Sequence, residues 1–589
     1  MTVKLKVSSQ FLSELIESAP NRVRRRLDRE PEAAKDWSLQ QLEDRWRVQV
    51  GEETITLHHE VITSLDHVHC TCLLAPNCFH ILAMLTQLEV SIEDATSENE
   101  ATDVPVGKVI EDDAILVTAE QQVAVLEFHR ALAQLMQVGV SNAGVIIQSG
   151  LLRAIHRCRA ERLYRLAAIG LQIASGIHQF RSRSAESNPE RLADDYSHAL
   201  EVIHHLLHDD PPSSMWMGTS RRTQFPIRPR KLHGLLAEPI ITDSGYAGAV
   251  AYFLGEDDAI YSAADVRPGD AQLARSAYSG GIEIGPLIQP ARRLARNRFI
   301  GSDMSASENG RLGRGKSIKL AQQGTSSWDD PEIKTRFERS LEVQMSGIYS
   351  LAELPEDVRP AGWDFAFLTG VVLGASGPDL LFKSTDNEGN DCHQEIRLVI
   401  QNENEALQFR ENLRMLSCAP GLKLRVIARF NLFEPTIMSP LAISALNVND
   451  SQDQEEPQLN LPDSWDHRVF LGFDELQPNH LLKSQARPNL IPKHIEVHRN
   501  DELAALRRRW TALLLAGTVT NSTNKTLVVT EARRLERAGF STAASLLMNL
   551  QSMVSEKETN SLQNFLAISL YLRACRFALA KSKLETTSH

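Results

Sequence analysis

The chain has 589 residues, 42% hydrophobic and 23% charged, a balance that excludes a wholly disordered or fibrous protein. Its net charge of −12 excludes a protein that coats nucleic acid by bulk charge. At a prior of about 150 residues per core the chain holds three or four units, and no uncharged apolar run approaches the roughly 20 residues that span a bilayer.

In chain order, residues 11–29 read as a helix bearing Arg22, Arg24, Arg25, Arg26 and Arg29. The opening residues show no apolar signal stretch. Residues 46–50 alternate as a strand, Gly51-Glu52 turns the chain, and 54–57 is the return strand. Then comes Cys70-Thr71-Cys72 followed by Cys78-Phe79-His80, a C-x-C-x5-C-x-H spacing. Three thiolates and an imidazole make a four-coordinate zinc set, and a closed set points to a structural ion. In an extended segment Cys70 and Cys72 share a face. Asn77, after Pro76, is the expected N-cap of a helix whose first turn carries Cys78 and His80. Ile81, Met84, Leu85 and Leu88 then recur at helical spacing as a core-facing stripe. His69 is an alternative fourth ligand, and no comparable cluster occurs elsewhere in the chain.

This order of strand, turn, strand, ligand knuckle and ligand helix resembles the SWIM zinc finger, a small ββα module, over about residues 40–92. The resemblance implies that Cys70, Cys72, Cys78 and His80 hold one structural zinc ion. Two features depart from the family: the Cys72–Cys78 gap is short, and Phe79 stands where a basic residue is common. The whole layout is similar to large bacterial SWIM zinc-finger proteins of unknown biochemical role, with further likeness at 263–270 and at Ser439-Pro440-Leu441. SWIM modules are associated with DNA binding or protein–protein contact, so the resemblance implies one of these.

Beyond the finger, 93–115 is an acidic linker with few apolar residues. Residues 116–212 read as a helical domain, with one helix through Val123, Leu126, Leu132, Leu135 and Met136, a second run over 150–177 and a third over 189–208. From 213 to 448 the texture is β, with strands at 234–241, 247–254, 260–263, 282–288, 370–373, 379–382, 395–400, 422–430 and 441–446. These suggest one or two small barrels, and 340–448 has the strand count of an OB-like barrel with an inserted helix at 405–415. Residues 449–498 read as linker and irregular chain, and 499–589 as a C-terminal bundle of three helices over 501–515, 530–550 and 556–581. The fold class is therefore multidomain α+β.

Three further patterns invite a function. Residues 310–317 match the phosphate-loop pattern G-x-x-x-x-G-K-S, but the preceding residues lack the strand, and Gly324 shortens the helix, that the mechanism requires. A basic Gly-rich loop is the better reading. His204, His205 and His208 with Glu201 have helical metal-ligand spacing, though a solvated helix end explains them as well. Residues 215–320 hold 15 Lys or Arg against 10 Asp or Glu, with clusters at Arg221-Arg222, Arg228 to Lys231, Arg292 to Arg298 and Arg311 to Lys319.

No catalytic set can be assembled, and cysteines Cys158, Cys392, Cys418 and Cys575 lack a pairing rhythm, which fits a reducing compartment. The expectation is a cytoplasmic, non-enzymatic adaptor whose zinc finger binds a protein or nucleic-acid partner. It has no membrane anchor and no identified small-molecule substrate. The alternative is direct DNA or RNA binding through 219–319 plus the finger.

Overall fold

The structure, a computed structural model, describes residues 5–587 except 31–32, 36, 43–44, 52, 92–115, 185–186, 210–211, 220–223, 243–244, 316, 386–394, 402, 447–455, 492–502, 519–524 and 553–557. The linker at 93–115, Cys392, Lys316 and the pair Arg221-Arg222 lie outside the described residues. The protein is multidomain α+β, and its contacts divide it into two units, 1–221 with 497–574 and 222–496 with 575–589. The finer boundaries at 92, 115, 212, 448 and 498 are not separately resolved by that division.

The first unit opens with strand β1 (Lys6–Ser8), helix α1 (Ser9–Ser18) and helix α2 (Asn21–Arg29). Residues 11–29, expected as one helix, form two. Pro20 divides them, because the residue before a proline is pushed out of the helical region, and Ala19 is extended at φ −66°, ψ 140°. Strands β2 (Leu39–Leu42), β3 (Arg45–Val50), β4 (Glu53–His58), β5 (Val61–Ile62) and β6 (Val68–Cys70) precede helix α3 (Phe79–Leu85) and strand β7 (Glu89–Ser91). An antiparallel sheet runs β2-β3-β4-β6, and β1 pairs in parallel with both β5 and β7. Period-2 alternation turns Trp46, Val48, Ile55, Leu57, Val68 and Cys70 inward, while Arg45 and Arg47 face out.

Helices α4 (Ala119–Val138), α5 (Val145–Ala160), α6 (Tyr164–Arg181) and α7 (Pro189–His208) follow. The expected single run over 150–177 is two helices, since the chain turns at Arg162, whose φ of 64° is left-handed. The α7 bounds coincide with the expected third helix, set by the Asn188 cap and Pro189. Tyr196 on α7 donates its hydroxyl to the Leu132 carbonyl of α4. Helices Ala504–Ala516, Lys525–Arg537, Ser541–Ser552 and Glu558–Thr587 complete the α part. The expected middle helix over 530–550 is split by Gly539, whose φ of +90° ends a helix without Cβ strain. Trp510 stacks on Phe565 at 4.9 Å and donates to its carbonyl.

The second unit contains two five-strand systems of the same connectivity. In the first, Lys231–Ile241, Tyr246–Gly255, Ile260–Pro268, Asn297–Ser302 and Lys319–Thr325 stand in the spatial order third, second, first, fourth, fifth. Its third strand also bridges in parallel, through Ser262, to Arg311 just before the fifth. In the second, Phe365–Ser376, Asp379–Ser384, Glu395–Leu398, Lys423–Phe430 and Ile437–Ala445 repeat that order. There the third and fifth strands pair in parallel, Arg397 with Ile437 and Leu398 with Met438, so the sheet closes into a barrel. A helix separates the third and fourth strands in both, Gln272–Ser279 and Phe409–Leu416. The repeat is invisible as a sequence period because only the strand order recurs.

The strand expected at 282–288 is a hairpin, Gly281–Ile284 with Leu287–Pro290, turned by Gly285 at φ +56°. The segment expected to be irregular after 462 supplies strand Arg468–Phe470, which extends the barrel sheet beside Ile437–Ala445. The run Phe365-Ala366-Phe367-Leu368 is apolar throughout because both of its faces are buried. Ala366 and Leu368 enter the barrel core, and Phe365 and Phe367 enter the core of the first system.

Candidate metal centre

Cys70 ends β6 on the inner face of the sheet, opposite Ile55. Cys78 caps α3: its Sγ accepts a hydrogen bond from the Ile81 amide at 3.4 Å, so the cap falls on Cys78 and not on Asn77. His80 follows in the first helical turn, and its Nδ1 lies 3.9 Å from Cys70 Sγ. One donor atom from each of Cys70, Cys72, Cys78 and His80 lies within 4.8 Å of every other. A tetrahedral ion with bonds of about 2.0–2.3 Å sets its donors roughly 3.3–3.8 Å apart, so the group fits a metal ion. Among the described residues no other group of three or more His, Cys, Asp or Glu converges in this way.

Electrostatics agree with that fit. Burial pushes the Cys78 thiol up to about 12, with Cys70 and Cys72 adding to the rise, and burial also raises Cys70, with Cys72 adding and Cys78 opposing. A cation among them reverses this, since a bound thiol is deprotonated by the ion's own charge. Cys70 and Cys78 are 3% and 1% exposed, and Cys72 is half-buried, so the ion would be shielded from solvent.

The support beneath the site is apolar. Phe79, Ile81, Leu82, Ala83, Met84 and Leu85 are all buried, whereas Leu88 of the expected stripe lies beyond the helix end. Two contacts escaped the sequence reading. The Trp37 ring centre lies 6.3 Å from His80, and the Arg26 guanidinium stacks 3.9 Å over Phe79. Spacing reports neither, since both partners come from segments more than 40 residues upstream in the chain. The loop between Cys72 and Cys78 holds Leu73, 103% exposed, and Leu74, 65% exposed.

The other sequence candidates do not assemble. His69 faces solvent outside the ligand group, and His67 Nδ1 accepts from the Thr63 amide. Glu201 is held by Arg573, and His205 bonds Asp209 and stacks on Trp216 at 4.0 Å. After the Gly-rich match at 310–317 the chain enters strand Lys319–Thr325, so the helix that a phosphate loop leads into does not follow it. In the basic segment Arg296 is buried against Asp474, Arg267 pairs with Asp265, and Arg314 donates to the Ala264 carbonyl. No described helix is long and apolar enough to cross a membrane. Comparison with protein-family models, curated proteins and solved structures finds no match for this chain.

Proposed function

We propose that this chain is a non-enzymatic docking protein whose amino-terminal SWIM-type finger is folded around one structural zinc ion. The observation that carries the reading is the convergence of three thiols and an imidazole within 4.8 Å. That donor set favours zinc among the common cellular ions, because thiolates select soft or borderline metals and a closed tetrahedron leaves no open catalytic position.

The same ligands clamp the loop that carries Leu73 and Leu74. Two leucines standing in water at the tip of a short, metal-pinned loop are poor for folding and good for binding, since burial in a partner's groove recovers about 1.5–3 kcal/mol each. The reading therefore assigns a protein partner with an apolar recess to this loop. The connectivity of the closed barrel, with its third and fifth strands parallel, supports an OB-like fold as a second recognition surface. Nucleic-acid binding through 219–319 has less support, because several of its arginines are already bonded within the fold.

The test is capture of partners from cells with the full chain, its Cys78→Ser variant and a Leu73→Ser/Leu74→Ser variant. A partner held by wild type and lost with both variants fits the reading. Identical capture by all three would overturn it.

A further inference from the structure

Helix α2 carries no enzyme-like chemistry, yet five of its nine residues are arginine. Arg22, Arg25, Arg26 and Arg29 stand at i, i+3, i+4 and i+7, which places them on one face of the helix. All four are exposed. The opposite face, Val23 and Leu27, is buried. The helix's own carboxylate, Asp28, is exposed but engaged, its Oδ1 accepting from the Val145 amide at 2.9 Å. Glu30 reaches only Arg26, at 3.5 Å. No carboxylate among the described residues pairs with Arg22, Arg25 or Arg29. The stripe is fixed in place, because Arg26 stacks on Phe79, the residue between two members of the metal group.

We propose that this arginine face binds the phosphodiester backbone of a nucleic acid. Arginines three and four apart have Cβ atoms about 5–6 Å apart on long flexible stems, so their guanidiniums reach successive phosphates of a duplex, which carries one charge per roughly 3.4 Å of axis on each strand. A short ridge of forked donors meets such an array without reading sequence. The choice of arginine alone, with no lysine in 21–29, suits bidentate phosphate contact. A lipid surface is the poorer match, because a helix that lies in a membrane needs a free apolar face and α2 has already buried its own. The net charge of −12 repels polyanions elsewhere, so attachment depends on this one face and is weak and salt-sensitive. The proposal stands apart from the docking loop and does not need it.

The experiment is fluorescence anisotropy of the full chain with a labelled 30-nucleotide duplex DNA and a single-stranded RNA of mixed sequence, at a series of salt concentrations. The expected result is binding whose logarithm falls linearly with the logarithm of salt. In an Arg22→Gln/Arg25→Gln/Arg29→Gln variant the duplex slope shrinks by about 0.9 per arginine removed, about 2.7 in all. Stronger retention of the RNA or of the DNA identifies which backbone is preferred. The matching Arg→Lys variant keeps most of the slope, and Arg292→Gln/Arg293→Gln in the other unit leaves it unchanged. The proposal is overturned by no binding to either probe at low salt, or by an unchanged slope in the glutamine variant. Loss of slope in the lysine variant overturns it as well. So does the finding that the stripe retains anionic vesicles or polyglutamate and not nucleic acid. Zinc content measured on the same samples separates this result from failure of the finger itself.

Discussion

The Arg26 guanidinium lies 3.9 Å from the centre of the Phe79 ring, which ties α2 to the helix that carries His80 and is capped by Cys78. The contact has the geometry of a cation–π pair at a partly exposed site, which contributes about 0.5–1 kcal/mol. A double-mutant cycle with Arg26→Ala and Phe79→Leu, read by denaturant unfolding, should return a coupling of that size. A coupling indistinguishable from zero would mean that the Arg26–Phe79 contact does not help to hold the two helices together.

Metal removal should act locally. The finger's sheet buries a few side chains per strand, and its helix has seven residues, too short to persist without support. Hydrogen exchange after chelation should show the amides of 45–58 and 79–85 losing protection, while those of 365–376 and 423–430 keep theirs. Unchanged exchange at 79–85 would show that the ion is dispensable for the fold.

Arg468 is 0% exposed and donates to five backbone carbonyls, those of Gly234, Leu235, Ala295, Arg296 and Ser326. Burial and the neighbouring Arg296 lower its basicity. Arg468→Met replaces the apolar stem but orphans those acceptors, and should cost about 3–5 kcal/mol in unfolding of the second unit. Arg468→Lys, with a compact ammonium in place of a planar fork, should fall between the two. A loss under about 1 kcal/mol for the methionine variant would show that the carbonyls find other donors.

The first unit should weaken in alkali. Burial pushes the Cys158 thiol up to about 12, against about 8.5 for a free cysteine. The folded state thus holds this proton more tightly than the unfolded chain. Its contribution is complete below about pH 8.5 and is lost as the pH climbs toward 12. Tyr196, raised by the same burial, adds in the same direction at higher pH. Stability measured by chemical denaturation should fall by about 1.5 kcal/mol more between pH 8.5 and 10 in wild type than in Cys158→Ala. Equal slopes would contradict a buried, protonated thiol.

The metal group was legible because its chemistry is written in consecutive residues. A C-x-C strand end and a C-x-H helix start need no distant partner to declare themselves. Most strands were legible for a similar reason, as Lys423–Phe430 and Ile437–Ala445 are apolar runs between turn residues. Helix breaks were less so: Pro20 and Gly539 carry a signal that a long amphipathic pattern masks, and the left-handed Arg162 carries none. The shared strand order of the two β systems and the Arg26–Phe79 contact depend on pairings between remote segments, which single-chain spacing does not encode.

The most direct test of the account is the metal content of the full chain, purified without chelator and analysed by mass spectrometry for zinc, iron, copper and nickel. The expected value is close to one zinc per chain, falling near zero in Cys72→Ser and in His80→Ala and unaltered in Cys418→Ser. A folded protein carrying no stoichiometric metal, or one whose zinc survives both ligand substitutions, would contradict the account at its root.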